Sequence, residues 1–190
     1  MKLFAKSFKG RRLFEKGSIQ KLLLFYYQPV VLKKFLKIGR RKNMTAITGP
    51  RVGCGAAIID EKGRILLLRR LKQPEAGCWG LPGGKVDPYE TTAYAAEREI
   101  AEELGITIQA SDLLCLVEQM DTDAGYHWIS PVYLVTSWQG VPTLMEPEKH
   151  EGPRWYALDA LPADLTEPTR HALKALQARS AATAQNNIKV

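Results

Sequence analysis

Three glutamates, Glu99, Glu102 and Glu103, stand within five positions of one another, and a glycine pair, Gly83-Gly84, precedes them. Wound as a helix at about 100° per residue, Glu102 falls about 60° to one side of Glu99 and Glu103 about 40° to the other. The three carboxylates then share one face, while Glu97 points roughly the opposite way, towards solvent. Like charges at these spacings repel, at a cost on the order of a few kcal/mol per pair for an effective dielectric of about 20. Hard divalent cations remove that cost, because Mg²⁺ and Mn²⁺ prefer carboxylate and water oxygens. The glycine pair lets the backbone approach a metal or a phosphate closely, and a carbonyl there can act as a further ligand. Arg98 lies beside the acidic face, where it can pair with Glu90 and hold a carboxylate in place, or neutralise phosphate. Acids, metal and glycine loop together suit the splitting of a phosphoanhydride by water.

The glutamates need a helix, and the sequence provides one. From about Thr91 to Leu104 the chain is rich in Ala, Glu and Leu, and Gly105 closes it as a C-terminal cap. Before it, Val52 to Ile59 reads as a buried strand and Asp60 to Gly63 as a turn. Arg64 to Leu68 returns as a second strand, so the pair predicts a hairpin. Leu113 to Val117 and Trp128 to Trp138 read as later strands, with Pro131 breaking the second or placing it at an edge. Arg154 to Ala157 is a further short strand. Thr166 caps a final helix with Leu173 and Leu176 on its apolar face. Strands on both sides of a central helix, with a second helix late, indicate an α/β layered domain.

Of the 27 Lys and Arg residues, 13 lie in residues 1–43, against a single acid, Glu15; the rest of the chain has 14 basic and 19 acidic residues. The leader is therefore +12 and the body −5, which marks a separate tail and not a basic binding domain. Its longest apolar run, Leu22 to Tyr27, ends at Gln28-Pro29, too short to span a bilayer. No small-residue cleavage site follows it. We read residues 1–43 as an extended start or solvated tail, with weak membrane or nucleic-acid contact as the other reading. The working domain is expected over residues 44–179 and a polar, frayed tail over 180–190. The three cysteines have no metal-site or disulfide spacing and suit a reducing compartment, the cytoplasm. Three histidines without a cluster argue against a zinc enzyme.

The stretch from Gly84 through Glu90, Arg98, Glu99, Ile100, Glu102, Glu103 and Gly105 to Ile106 resembles the signature of the Nudix family, with every fixed and aliphatic position filled. The entry strands, the Trp79 to Gly84 approach and the Glu146 to Lys149 segment are similar to MutT-like members, so residues 51 to about 178 are covered. The resemblance implies an α/β/α sandwich with a mixed sheet between helices. It implies that Glu99 and Glu103 bind metal, that the Gly83 carbonyl is a further ligand, and that Glu102 binds metal or activates water. Glu90 and Arg98 match positions that brace the helix, with Arg98 counted in the catalytic group. Glu148 is the candidate for a late acidic ligand, with Glu146 next. On the substrate side, Gly84 approaches phosphate, Trp79 is placed to stack on a base, Tyr126 (with His127 and Trp128) lines the base pocket, and Lys149 touches phosphate.

The implied activity is Mg²⁺-dependent hydrolysis, with Mn²⁺ able to substitute, of a (deoxy)nucleoside triphosphate to monophosphate and pyrophosphate. ADP-ribose hydrolases usually carry a proline about 15 residues past the signature; here Asp121 to Ala124 has none, which favours triphosphates. The alternatives are an ADP-ribose or nucleotide-sugar pyrophosphatase, and a non-catalytic nucleotide-sensing module, which would tend to lose these glutamates. A nucleotide is the one partner implied. No obligate protein partner is evident, and a monomer or a homodimer is expected.

Overall fold

The computed structural model describes residues 49–187, and the leader lies outside the described residues. Two strands whose buried positions are Ala, Ile and Leu organise this part: β2 (Gly55–Ile58, with Gly55 at its start) and β3 (Arg64–Arg70, with arginines at its ends). Successive strand side chains point to opposite faces, and here each face meets its own helix. Ala56, Ile58, Leu66 and Leu68 pack with Ala95, Ala96, Ile100 and Leu104 of α1 (Thr92–Leu104). Ala57, Ile65 and Leu67 pack with Ala172, Leu173 and Leu176 of α2 (Glu167–Asn187). Two cores on opposite faces of the strands make the α/β/α sandwich expected from the sequence.

The remaining strands are β1 (Arg51–Val52), β4 (Trp79–Gly80), β5 (Thr107–Ile108), β6 (Asp112–Asp121), β7 (Tyr126–Val135), β8 (Trp138–Gln139) and β9 (His150–Ala157). β7 is the centre of a mixed four-stranded sheet: β1 and β2 lie parallel to it on one side, and β6 antiparallel on the other. β4, β3 and β9 form an antiparallel three-stranded sheet, and β5 pairs with β8.

Three local expectations are corrected. The Asp60 turn forms, with Gly63 at φ 71° and its N–H donating to the Asp60 carbonyl at 2.9 Å. However, its flanking strands bridge only at Ile59–Ile65 and then part into different sheets. The reason is that the free edge of β2 is spent elsewhere: Cys54 N–H donates to the Gly84 carbonyl (2.9 Å) and Ala56 N–H to the Pro82 carbonyl (3.0 Å). The glycine loop takes the place of a hairpin partner. Secondly, Pro131 sits inside the central strand. Ile129 and Val135 carbonyls accept from Gly53 and Ile59 on the β1–β2 side. By alternation Pro131 turns that way too, opposite the Gly53-Cys54 gap between β1 and β2, where no donor is required. Thirdly, α2 continues through Ser180 to Asn187, past the point where a frayed tail was expected.

Candidate metal-binding and nucleotide site

α1 is built to present its last turns. The Thr91 hydroxyl caps its start by accepting from Tyr94 N–H (3.2 Å), and Gly105 ends it in the left-handed conformation, φ 66°. Ile100 and Leu104 bury one stripe, and the neighbouring stripe brings Glu99 and Glu103 against the loop Pro82 to Lys85. Gly83 has φ 142°, and a Cβ there would strike the Cys54 carbonyl; one at Gly84 would land in the Glu99 carboxylate. Both glycines are therefore required by close approach.

Glu103 is almost fully buried, 3% exposed. Its Oε2 accepts the Gly83 N–H at 2.8 Å. Burial, with Glu99 and Glu146 adding repulsion, pushes its carboxyl up to about 8. Arg98 forms the second knot. Its Nε and Nη2 donate to Glu90 (2.8 and 3.0 Å), its Nη1 to Glu99 (2.9 Å) and Glu102 (3.2 Å), and Nη2 also to the Lys85 carbonyl (3.0 Å). This fork, with the Asp87 N–H, holds Glu90 down at about 2, while Glu90 and Glu99 raise the guanidinium further. All three guanidinium nitrogens are thus bonded within the protein, and Arg98 braces Glu90, Glu99 and Glu102. Glu102, half exposed, is held by Arg98 alone.

Of the two late acids, Glu146 is the one that the fold brings beside Glu103. Glu103, Glu146 and His150 bring one donor atom each within 4.8 Å of one another. The turn that carries them is tied to α1: Met145 N–H donates to the Glu103 carbonyl (3.0 Å), and Lys149 and His150 N–H donate to the Glu146 carbonyl (3.0 and 3.1 Å). Glu148, preferred on sequence, is exposed and outside this group. Lys149 binds Glu146 through Nζ at 2.6 Å, an ion pair that raises the ammonium. Carboxylate oxygens from α1 and the late turn, one carboxyl kept from ionising by burial and like charges, are a donor set that a hard divalent cation would neutralise.

Beside the glycine loop opens a cavity of about 300 Å³, lined by Gly83, Gly84, Glu75, Gln119, Trp128 and Ser130 among others. Trp128 lines it, with the Arg51 guanidinium 5.5 Å from its ring. Tyr126 does not: it lines the adjoining hollow with Glu75, Glu118, Asp121 and Glu167. His127 is paired with Glu118 at 2.8 Å. Trp79 is core, 9% exposed, edge-on to Tyr156 with the Arg154 guanidinium 5.2 Å from its ring, and cannot stack on a base. Glu97 is not simply solvated; it accepts the Ala110 N–H at 2.9 Å. Burial raises the Cys54 thiol to about 11, leaving it inert. Sequence reasoning missed His150, Gln119, Ser130 and Glu75. Only His150 carried a signal, its place beside the Glu146 to Lys149 segment.

A family model, the NUDIX domain, matches residues 49–176. A MutT NUDIX hydrolase from Burkholderia pseudomallei has a similar solved structure, at a TM-score of 0.65 and 54% identity, covering 67% of this chain and 98% of that one. An ADP-ribose pyrophosphatase from Methanocaldococcus jannaschii is 36% identical over 103 residues, 54% of this chain and 60% of its own length. An 8-oxo-dGTP diphosphatase from Proteus vulgaris is 35% identical over 83 residues, 43% of this chain and 72% of its own. The match thus spans less than two thirds of the archaeal relative.

Proposed function

The chain belongs to the Nudix family, and from that premise we propose that it hydrolyses a phosphoanhydride bond of a nucleotide. Within that class we assign (deoxy)nucleoside triphosphates, cleaved to monophosphate and pyrophosphate. The observation that carries the reading is Glu103, a buried carboxylate bonded to the Gly83 N–H and crowded by Glu99 and Glu146. Glu99, Glu102, Glu103 and Glu146, with the Gly83 carbonyl, would hold divalent cations, Mg²⁺ in our reading and Mn²⁺ as a substitute. Such a cation, when bound, supplies positive charge to the diphosphate oxygens and acidifies a neighbouring water.

The chain's own residues do the rest. The glycine loop forms one wall of the cavity beside the acids and brings backbone close to a diphosphate. Arg98 fixes Glu90, Glu99 and Glu102 in one network, so the acids do not have to be ordered during the reaction. Glu102 is half exposed, and we assign it as the base that takes the proton of the attacking water. Lys149, held on Glu146 at 2.6 Å, adds positive charge on the leaving side. Trp128 offers the cavity an aromatic face for the base. Three free thiols support a reducing, cytoplasmic setting.

The sequence Asp121 to Ala124 lacks the proline of ADP-ribose hydrolases, and the Proteus relative named for a triphosphate substrate supports the same choice. The archaeal relative named for ADP-ribose favours the second reading, an ADP-ribose pyrophosphatase. A panel of NTPs, dNTPs, 8-oxo-dGTP, ADP-ribose and dinucleoside polyphosphates with Mg²⁺ separates them. We expect triphosphates to be turned over with release of pyrophosphate, and Glu102→Gln to lower kcat by on the order of 10²–10⁴ with the melting curve intact. Wild-type rates in Glu102→Gln would refute the assignment of the base, and faster turnover of ADP-ribose would refute the substrate class.

A further inference from the structure

His150 is the first residue of β9 and is 8% exposed. Its Nδ1 is buried without a hydrogen-bond partner and lies 3.5 Å from Glu103 Oε1. A buried ring nitrogen normally has a partner, so this one requires an explanation. In a neutral imidazole one nitrogen donates and the other accepts. If Nδ1 carried the proton, the carboxylate beside it would be its natural acceptor, yet no hydrogen bond forms. With the proton on Nε2, a lone pair faces the Glu103 carboxyl; at 3.5 Å a proton on that carboxyl does not close a hydrogen bond to it either, and once the carboxyl ionises the two acceptors call for a positive charge between them.

The surroundings are arranged for such a charge. Glu103, Glu146 and His150 each bring one donor atom within 4.8 Å of the others. Metal–ligand bonds of about 2.1 Å put the donors of one ion at most about 4.2 Å apart, so a small side-chain rotation closes the set. The backbone also holds the group together: His150 N–H donates to the Glu146 carbonyl, and Met145 N–H to that of Glu103. One turn therefore fixes all three donors against the end of α1.

We propose that His150 Nδ1 is a nitrogen ligand in a Glu103–Glu146–His150 metal site, which turns the site's preference from Mg²⁺ towards first-row divalent ions such as Mn²⁺. Mg²⁺ is bound almost wholly by oxygen, and an imidazole donor favours the transition ions. This rests on the reading that the acidic cluster holds a cation.

The test uses the full chain and Mn²⁺ alone. Electron paramagnetic resonance of free Mn²⁺ gives the affinity, and electron spin-echo modulation reports nitrogen bound to the ion. The expected result is ¹⁴N imidazole coupling in the wild type, absent in His150→Gln. In that variant the Mn²⁺ Kd should rise by on the order of ten-fold or more, while the Mg²⁺ Kd, from competition, stays within about two-fold. Bound Mn²⁺ without ¹⁴N coupling in the wild type overturns the proposal and leaves the hydrolase reading standing; that measurement needs no variant to fold. Equal weakening of both metals would make His150 a prop for Glu103 and also overturn it. No Mn²⁺ binding by the wild type would overturn the metal reading itself.

Discussion

Glu103 and Glu90 are both nearly enclosed glutamates, and their surroundings drive them in opposite directions. Burial raises Glu103 from 4.5 to about 8, while the Arg98 fork lowers Glu90 from 4.5 to about 2. In the metal-free protein, between about pH 4.5 and 8, folded Glu103 keeps a proton that the unfolded chain has released, so its contribution to stability falls as pH rises through that window. Glu90 contributes above its unfolded value and loses that contribution as pH falls towards 2. The expected outcome, in EDTA, is a Tm that declines from pH 6 to pH 8 in the wild type and is flatter in Glu103→Gln, with added Mg²⁺ or Mn²⁺ recovering the wild type at pH 8. Differential scanning fluorimetry across these conditions checks it; parallel slopes in the two proteins would mean that Glu103 ionises normally. The box glutamates were legible because helical spacing alone puts them on one face. The third donor group was not. Glu146 and Glu148 are equally acidic in sequence, and only the turn bonded to the Glu103 and Glu146 carbonyls decides which of them, with His150, comes back to the site.

α1 was legible almost to the residue, since Thr91 and Gly105 mark its ends by local chemistry that needs no tertiary partner. The strand before it was not. A buried Val52 to Ile59 run followed by a good turn reads as half a hairpin, but the edge of β2 is bonded to the glycine loop, and no local rule carries that information. Pro131 misleads for the same reason, since its tolerance depends on a gap in another strand. The loop and α1 therefore act as one unit, and a methyl group at the contact should separate function from stability. In Gly84→Ala the new Cβ meets the Glu99 carboxylate, which Arg98 holds at 2.9 Å. We expect kcat to drop by on the order of 10²-fold, as for an ångström-scale misplacement of a catalytic group, with most of the Tm retained. Thr91→Ala should do the reverse, costing about 1 kcal/mol of stability with kcat little changed. Steady-state kinetics beside thermal melts distinguish them; equal kcat in both variants would mean that the loop and helix are not coupled in this way.

At the scale of the molecule, charge is divided unevenly along the chain, +12 over residues 1–43 and −5 over the rest. Every described strand and helix lies between Arg51 and Asn187, and among the described residues no helix is long and apolar enough to cross a membrane. Residues 1–43 hold nearly half of the basic side chains and one acid, so the overall pI of 9.3 describes the leader and not the body that carries the site. A polyanion such as heparin senses that +12 segment, and its binding weakens with salt because released counterions drive it. A chain of residues 44–190, net −5, should pass through a heparin column in low salt that retains the full chain, while keeping the same turnover and the same Tm. The elution salt of each form, set beside kcat for one triphosphate, tests this directly. Retention of the shorter chain would place the basic surface on the folded body, and loss of its turnover would make the leader part of the enzyme.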